Sequence, residues 1–405
     1  MQKQLRILFD EPLLLVALPL SLISLGFILL LRPIIKIRVG FLRCDRIGHF
    51  AANTELYLCS LEKEGSKTRT VDLFYFPRPV CNQQLATMWK RRLKILPWFI
   101  LRPLCLIVRS NEIFKSFRAI EARGGDRDID GLFDRLPARN KFTHEEEVRG
   151  RAILMSMGLP EGARFICLTV RDSFYLGTRY PDANLDYHNH RDSDIQSYVL
   201  AAETLAERGY YVFRMGAKVR APMNSTHPRV IDYATNGMRS DFMDIYLGAK
   251  CEFCISTSTG FDAVPLVFRR PIVYANMVPI GWLFTFSKRF LAITKHHFLV
   301  EEDRELTLQE IFDRGVGYCA LNAEYESKGV RLIENTSEEI RDVVIEMADR
   351  LEGNWVASEE GEALQKRFWE VFPKDGLDAK GVPLHGEIRS RFGEKFLRNH
   401  QGWLA

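Results

Sequence analysis

Four hydroxyl side chains stand in a row in this 405-residue chain and are followed by a glycine: Ser256, Thr257, Ser258, Thr259 and Gly260. An apolar run precedes them, and Asp262 opens another. Hydroxyl donors between a strand and a helix suit phosphate binding, because the first N–H groups of a helix lack partners and favour anions. The run also differs at one position from the nucleophile elbow G-x-S-x-G, so a nucleophilic Ser258 and a plain polar turn remain alternatives.

A second group of polar residues surrounds Arg171 in the run T-V-R-D-S. A guanidinium at a strand end can clamp a diphosphate in a forked geometry. The loop at residues 187–194, Y-H-N-H-R-D-S-D, adds His190 and Arg191 as binding candidates. Asp192 and Asp194 are typical of residues that serve the start of the next helix. The two histidines of this loop are two positions apart, which is not a helical pair, so we do not predict a metal site there.

Three further cations follow in the same half of the chain. Arg214 and Lys218 flank the run M-G-A, and Arg239 precedes a helical pattern. Either they face the same ligand, or they are simply solvated.

The first half of the chain offers a candidate general base in R-C-D-R-I-G-H at residues 43–49. Imidazole and carboxylate groups are common general bases, so either His49 or Asp45 could deprotonate an acceptor hydroxyl. A buried structural role for His49 is the alternative.

Strand and helix patterns alternate around these residues. Strands are predicted at residues 34–39, 71–76, 104–108, 165–170, 210–215, 230–233, 252–256 and 271–275. Such alternation predicts parallel sheets covered on both faces, in two βα domains with a ligand cleft between them. Arg171 and residues 257–260 then follow strands of one sheet, at the edge where open α/β sheets bind ligands.

Helix starts and composition shifts divide the chain. Capping boxes are predicted at Thr143, Ser193 and Thr336, each with Glu or Gln three residues later, and Ser240 is a further predicted cap. We predict an anchor at residues 1–32, domains at residues 33–157 and 158–352, and a helical tail at residues 353–405.

Composition limits the partners. The net charge is +4 from 56 basic and 52 acidic residues, so the balance does not indicate a nucleic-acid binder. The eight cysteines are scattered, which suits reduced thiols.

The N-terminal region favours a membrane. Residues 13–31 carry no charge and are long enough to cross a hydrocarbon core. The length of the run favours an uncleaved anchor over a signal peptide. The basic residues that follow it predict the cytoplasmic membrane as its place, with the main body in the cytoplasm. Pro19 and Gly26 leave a re-entrant insertion as the alternative to a straight span. Basic and aromatic residues mix at residues 88–109, as expected either for contact with an anionic membrane surface or for a solvated helix followed by a core strand.

The motifs together resemble a family. R-x-D-R-I-G-H-F, F-T-x-E-E-E-x-R-G-R, R-D-S-F-Y-L, Y-H-N-H-R-D-S-D-I and I-S-T-S-T-G-F-D resemble bacterial proteins described as glycosyltransferases of the GT-B type, over about residues 34–351. The resemblance implies two facing Rossmann-like domains, a nucleotide-sugar bound mainly by the second, and transfer without a catalytic metal or other cofactor. V-R-D more distantly resembles the H-x-R element of fucosyltransferases, but Thr169 stands in place of the histidine.

The resemblance also implies roles for the residues above. Arg171 and residues 256–260 would hold the donor diphosphate, and Asp262 would take ribose or sugar hydroxyls. Arg214 and Lys218 would neutralise the departing charge, and the acceptor would be a lipid-linked or surface glycan. A non-catalytic scaffold of a glycan assembly complex and a serine hydrolase using Ser258 are the alternatives.

Overall fold

The computed structural model describes residues 12–64, 69–119, 127–179, 186–378 and 381–405. The chain divides into two compact units. Unit 1 takes Met1–Asp126 and Ala138–Phe142, and unit 2 takes Arg127–Pro137 and Thr143–Ala405. The domain boundaries predicted from the sequence stay a prediction.

Unit 1 is an α/β unit with one small sheet. Its elements are α1 (Pro12–Leu31), β1 (Lys36–Phe41), α2 (Ile47–Glu64), β2 (Thr70–Tyr75), α3 (Gln83–Lys90), β3 (Lys94–Ile95) and α4 (Trp98–Ser110). The strands lie parallel in the order β1-β2-β3, with Val39 opposite Leu73. The parallel order predicted for the first half of the chain is therefore present.

Helix α4 replaces a predicted strand. Residues 104–108 were expected to be extended, but they belong to α4. The buried side chains Leu101, Leu104, Cys105 and Val108 follow the spacing i, i+3, i+4, i+7 of a helix. Leu106 and Ile107 are apolar as well, so the short window of residues 104–108 resembles a buried strand. The strand prediction is wrong because packing of this face selects the helix.

Helix α1 packs one face against α4, and most of its described side chains outside that face are exposed. Leu25 and Ile28 are buried in the core that α4 shares, whereas Leu20 and Phe27 are exposed. The side chains of this helix are described from Pro19 onward. Among the helices that the structure describes, none is both long and apolar enough to cross a membrane. The predicted spanning anchor is thus not supported.

Unit 2 contains the larger set of elements. The helices are α5 (Leu132–Arg135), α6 (His144–Ser156), α7 (Phe174–Arg179), α8 (Val199–Glu207), α9 (Asp241–Lys250), α10 (Ala263–Val267), α11 (Leu308–Asp313), α12 (Asn322–Ser327), α13 (Ser337–Glu352), α14 (Glu359–Val371) and α15 (Glu394–Asn399). The strands are β4 (Phe165–Thr169), β5 (Tyr211–Arg214), β6 (Val230–Ile231), β7 (Cys254–Ser256), β8 (Ile272–Tyr274), β9 (Phe290–Ala292), β10 (His296–Leu299), β11 (Arg304–Glu305), β12 (Val330–Ile333) and β13 (Arg391–Phe392).

Seven of these strands form one parallel sheet in the order β13-β9-β8-β7-β4-β5-β6. Strand β4 lies between β7 and β5, with Thr169 opposite Ser256 and Leu168 opposite Arg214. The predicted parallel sheet is confirmed. Strands β11, β10 and β12 form a separate antiparallel sheet, which the sequence did not predict.

The C-terminal segment was predicted to be helical and contributes a strand as well. Strand β13 pairs with β9 at the edge of the large sheet. Two residues are too few for a period-two pattern, so only the contacts of the folded chain reveal this strand.

Helix caps follow the sequence in three of four cases. Thr143 and Thr336 close full capping boxes, and the Ser240 hydroxyl accepts from the Met243 N–H at 3.2 Å. The box predicted at Ser193 is wrong: the Asp194 side chain accepts from the Gln196 N–H and starts a 3-10 turn that leads into α8. The carboxylate one position further along is the stronger acceptor for that N–H group.

Candidate functional site

Unit 2 holds a cavity of about 930 Å³ beyond the carboxyl ends of β4 and β5. Its walls come from the loops after these two strands, from residues 189–195, and from α12 with the strands of the antiparallel sheet. The lining residues used below are Asp172, His190, Asp192, Asp194, Arg214, Arg220, Lys295, Asn322, Tyr325, Glu326, Arg331 and Glu334. The cavity thus lies at the sheet edge where the sequence predicted a ligand.

Lys295 supplies a buried ammonium group to the cavity wall. Only 4% of the residue is exposed, and burial lowers its pKa. The Nζ atom donates to the Asp192 carbonyl at 2.6 Å and lies 3.6 Å from a Glu334 carboxylate oxygen. An ammonium group has three N–H donors, so one donor remains after these two contacts.

Arg220 places an exposed guanidinium on the opposite loop. Its backbone N–H donates to Asp172 Oδ2 at 3.0 Å, and its Nη2 donates to the Ser173 hydroxyl at 2.9 Å. These two bonds join the loop after β5 to the loop after β4. The remaining N–H groups of the guanidinium fork suit an oxyanion.

His190 and Tyr325 bring two buried polar atoms without protein partners. The His190 Nδ1 donates to Asn322 Oδ1 at 2.8 Å, so its Nε2 is an acceptor in the neutral ring. Burial lowers the pKa of His190 to about 4, and the ring is therefore neutral at pH 7. Neither this Nε2 nor the Tyr325 hydroxyl has a protein hydrogen-bond partner. Both can bind hydroxyl groups of a ligand.

The acidic side chains of the cavity are engaged mainly with the protein. Asp172 accepts from two backbone N–H groups, and Asp194 caps the turn before α8. Asp192 pairs with Arg171 at 3.1 Å, and Glu334 accepts from the Asp194 N–H at 3.1 Å. Cations, neutral acceptors and fixed carboxylates share one wall. A ligand that carries both phosphates and hydroxyls fits such a mixed lining.

Arg171 and the hydroxyl run meet, as predicted. The Arg171 N–H donates to Thr257 Oγ1 at 2.8 Å, and the hydroxyls of Thr169 and Thr259 are 3.2 Å apart. The register of β4 on β7 brings the two loops together.

Most hydroxyls of this run already have protein partners, and the phosphate cradle expected there stays a prediction. Ser256 donates to Asp262 Oδ2 at 2.8 Å, and Thr257 is occupied by the Arg171 N–H. Ser256 and Thr257 are buried, and no residue of 256–260 belongs to the described lining of the cavity. The helix that follows, α10, has only five residues. The hydroxyls stabilise the two loops from inside because the N–H groups there need acceptors, and Asp262 is used in the same way.

Ser258 has a left-handed backbone with φ of +60°. Arg191 donates to its carbonyl oxygen at 2.7 Å, and the residue is 8% exposed. A strained serine at a strand end matches one feature of a nucleophile elbow. The burial of Ser258 limits the access of a substrate to its hydroxyl.

Arg214, Arg239 and Lys218, the other predicted cations, lie in different surroundings. Arg214 lines the cavity but is buried, with Nη1 3.1 Å from Asp232 and Nη2 3.1 Å from the Ala221 carbonyl. Arg239 pairs with Asp244 at 2.6 Å and is not among the lining residues of the described cavity. Lys218 is exposed and also lies outside that lining. The buried guanidinium of Arg214 and the buried carboxylate of Asp244 each need a partner of opposite charge, which explains both pairs.

The candidate bases belong to unit 1 and lie near the start of α2. Asp45 and His49 are half-buried, and the His49 Nδ1 has no protein partner. Asn53 is four positions after His49 on the same helical face, and both atoms of its buried amide are unpaired. On this face of α2, the His49 Nδ1 and the Asn53 amide are therefore polar groups without a protein hydrogen-bond partner.

The sequence did not reveal Arg220, Lys295, Asn322 and Tyr325 as site residues. Arg220 lies two positions beyond Lys218, in the same predicted loop, so its neighbourhood was a usable signal. Lys295 and α12 reach the cavity from segments more than 100 residues after β4. No local pattern in the sequence connects those segments with the loop of Arg171.

No protein-family model and no curated protein match the chain. Among solved structures, glycosyl transferase family 9 from Veillonella parvula DSM 2008 gives a TM-score of 0.44 at 12% identity, over 78% of this chain and 97% of that chain.

Two E. coli structures are also similar. ADP-heptose lps heptosyltransferase II gives a TM-score of 0.37 at 16% identity, over 64% of this chain and 90% of that chain. Heptosyltransferase WaaC with ADP-2-deoxy-2-fluoro heptose gives a TM-score of 0.28 at 12% identity, over 64% of this chain and 93% of that chain. Because each TM-score is below 0.5, the likeness carries no conclusion about the activity of this chain.

Proposed function

We propose that this chain is a glycosyltransferase that moves a sugar from a nucleotide-diphosphate sugar to an acceptor hydroxyl. The observation that carries the proposal is the cavity beyond β4 and β5, with Lys295 and Arg220 beside buried acceptors. Its volume lies in the range of small-molecule sites. The sequence motifs that resemble GT-B glycosyltransferases support the same proposal.

The cations suit the diphosphate of the donor. In the transfer, the acceptor oxygen forms a bond to the anomeric carbon while the bond from that carbon to the phosphate oxygen breaks. Negative charge develops on the departing diphosphate, and fixed N–H donors of Lys295 and Arg220 stabilise it. Arg171 acts as a positioning residue, because it holds Asp192, whose carbonyl holds Lys295.

The neutral groups suit the hydroxyls of the donor. The His190 Nε2 accepts from a ribose or sugar hydroxyl, and the Tyr325 hydroxyl donates or accepts. The donor is a substrate, and we propose no cofactor or catalytic metal for the transfer.

Asp45 or His49 would remove the proton of the acceptor hydroxyl. The unpaired amide of Asn53 on the same helix supports a polar ligand in unit 1. We propose a lipid-linked or surface-glycan acceptor, in synthesis of a bacterial envelope polysaccharide.

We also propose that the chain works at the cytoplasmic face of the membrane. The uncovered apolar side chains of α1, such as Leu20 at 66% and Phe27 at 60% exposure, support contact with a lipid surface. Flotation of the full chain with vesicles containing anionic lipid measures this association. Absence of the chain from the vesicle fraction contradicts it.

Binding of nucleoside diphosphates tests the donor site. We expect UDP, GDP or ADP to bind the full chain in calorimetry, and Arg220→Gln and Lys295→Met to weaken binding by about 10- to 100-fold, since charged hydrogen bonds contribute about 1.5–3 kcal/mol each. Lys218→Met is the matched control and keeps full affinity, because Lys218 lies outside the cavity lining. Equal affinities in all three variants would contradict the proposal.

Three further assays separate the alternatives. Asp45→Asn and His49→Asn retain nucleotide binding in an enzyme but stop transfer of the sugar. In a non-catalytic scaffold both variants leave glycan production unchanged. Labelling of Ser258 by a fluorophosphonate would instead favour a hydrolase.

A further inference from the structure

A second cluster of titratable side chains lies in unit 2, and none of its members belongs to the described lining of the cavity. His296 comes from β10, Glu339 from the first turn of α13, and His400 from the position directly after α15. One ligand atom from each of the three lies within 4.8 Å of the others. Three elements distant in the chain therefore direct nitrogen and oxygen donors at one point.

The two imidazole rings are held in matching orientations. His296 Nδ1 lies 2.9 Å from Glu305 Oε1, and His400 Nδ1 lies 2.9 Å from the Phe396 carbonyl oxygen. A carboxylate and a carbonyl only accept, so both Nδ1 atoms carry a hydrogen. Each ring thus turns its Nε2 toward Glu339.

This is the arrangement of metal-binding histidines. Such histidines donate their second ring N–H to a carboxylate or a backbone carbonyl, which fixes the ring and the tautomer. The His296 Nε2 is 3.1 Å from Glu339 Oε2, and the His400 Nε2 is 3.3 Å from Glu339 Oε1. Ligand atoms around tetrahedral zinc are about 3.3 Å apart, from metal–ligand bonds of about 2.0–2.1 Å.

We propose that His296 Nε2, His400 Nε2 and the Glu339 carboxylate bind one Zn²⁺ ion, with water in the fourth position. Glu305 and the Phe396 carbonyl orient the two rings. The ion ties the last residues of the chain to β10 and α13, so its role is structural. This site is independent of the proposed transferase activity.

A proton on the His296 Nε2 competes with the metal for this cluster. Burial lowers the pKa of His296, but its hydrogen bonds to Glu305 and Glu339 raise it to about 9. Zinc must displace the proton on Nε2, as metals do at histidine ligands. Glu339 also accepts from the Thr336 N–H at 2.8 Å in its capping box, and that bond uses Oε2 while Oε1 faces His400.

The proposal is tested by measuring zinc binding to the full chain in mildly alkaline buffer. The chain is first treated with a chelator. We expect one equivalent of Zn²⁺ in calorimetry, a rise in the melting midpoint that saturates at one equivalent, and visible absorption bands when Co²⁺ replaces zinc. Absence of binding and of any shift in the midpoint overturns the site and identifies the cluster as a network of ion pairs.

Variants show whether these side chains are the ligands. His400→Gln and Glu339→Gln should lose the cobalt bands, and Glu339→Gln keeps the capping box because glutamine also serves in it. Glu305→Gln should weaken binding by about 10- to 100-fold as an outer partner. His144→Gln, at an exposed position of α6, is the matched control and binds normally. Unchanged binding in both ligand variants contradicts the assignment.

Discussion

At the scale of single residues, burial separates side chains of the same type into different roles. Arg214 is the last residue of β5 and Arg220 lies in the loop that follows, yet Arg214 is buried beside Asp232 while Arg220 is exposed at the cavity. A buried guanidinium needs its partner, and removal of either leaves an uncompensated charge. We therefore assign Arg214 to the stability of the cavity wall and Arg220 to the ligand.

His385 makes the stability of the chain depend on pH. Its Nε2 donates to the Gly281 carbonyl at 3.1 Å, and its Nδ1 lies 3.1 Å from the Thr285 hydroxyl. Burial, together with the charge of Arg127, lowers the pKa of His385 to about 4. The unfolded chain has a histidine pKa of about 6.5 and binds more protons between these values. The free energy of unfolding should thus fall as the pH falls from about 6.5 to about 4.

Urea unfolding at pH 7 and at pH 4.5 measures this effect. His385→Asn should reduce the loss of stability between the two pH values by about 1–3 kcal/mol, as expected from a pKa difference of this size. His144→Asn changes an exposed side chain and should retain the loss seen in the native chain. An equal pH dependence in all three proteins would show that His385 is not responsible.

At the scale of elements, the order of strands in the large sheet determines which loops can cooperate. Strand β4 has β7 on one side and β5 on the other, so the loops of Arg171, Thr257 and Arg220 emerge side by side. The hydroxyls of the β7 loop hold the β4 loop, and the β4 loop in turn holds Arg220. The donor site therefore depends on residues that do not contact the ligand.

The contact between α6 and α9 should be sensitive to a single methyl group. A Cβ atom on Gly150 would lie 2.2 Å from the Tyr246 ring, whereas one on Gly177 in α7 would meet nothing within 4 Å. Gly150→Ala should lower the free energy of unfolding by about 1–3 kcal/mol through overpacking. Gly177→Ala should be neutral or stabilise by up to about 1 kcal/mol.

Urea unfolding curves of the two alanine variants provide the comparison. The same substitution is made in two helices, so the difference between them isolates packing from helix propensity. Equal stabilities of the two variants would contradict close packing of α6 on α9.

At the scale of the whole molecule, the C-terminal segment is part of the core of unit 2. Strand β13 extends the seven-stranded sheet beside β9. Phe368, Phe392 and Trp403 stack with ring centroids 4.3–6.0 Å apart. The last residues of the chain thus cover the sheet edge and bury aromatic surface, which contributes to folding of the entire unit.

Trp403→Ala should therefore destabilise unit 2 strongly. Loss of a buried aromatic side chain costs about 3–5 kcal/mol, which calorimetric melting detects as a lower midpoint. Trp369→Ala, at a half-buried position of α14, should cost less. A smaller shift for Trp403→Ala than for Trp369→Ala would exclude a core role of the C-terminal segment.

The sequence by itself determined the local features of this protein. The parallel α/β order, the strands of Arg171 and of the hydroxyl run, and the caps at Thr143, Ser240 and Thr336 could all be predicted. These features depend on hydrogen bonds over three residues and on periodic burial, which a short window contains. The helix at residues 104–108 was missed because its apolar run suits both periods.

Only the tertiary structure decided which side chains face the cavity. Ser256 and Thr257 bond inward to neighbouring loops, although their types suit a phosphate. Lys295 and Tyr325 reach the same cavity as His190 from positions about 100 or more residues away. Such contacts depend on strand order and on which buried polar groups find partners, and residue spacing does not encode either one.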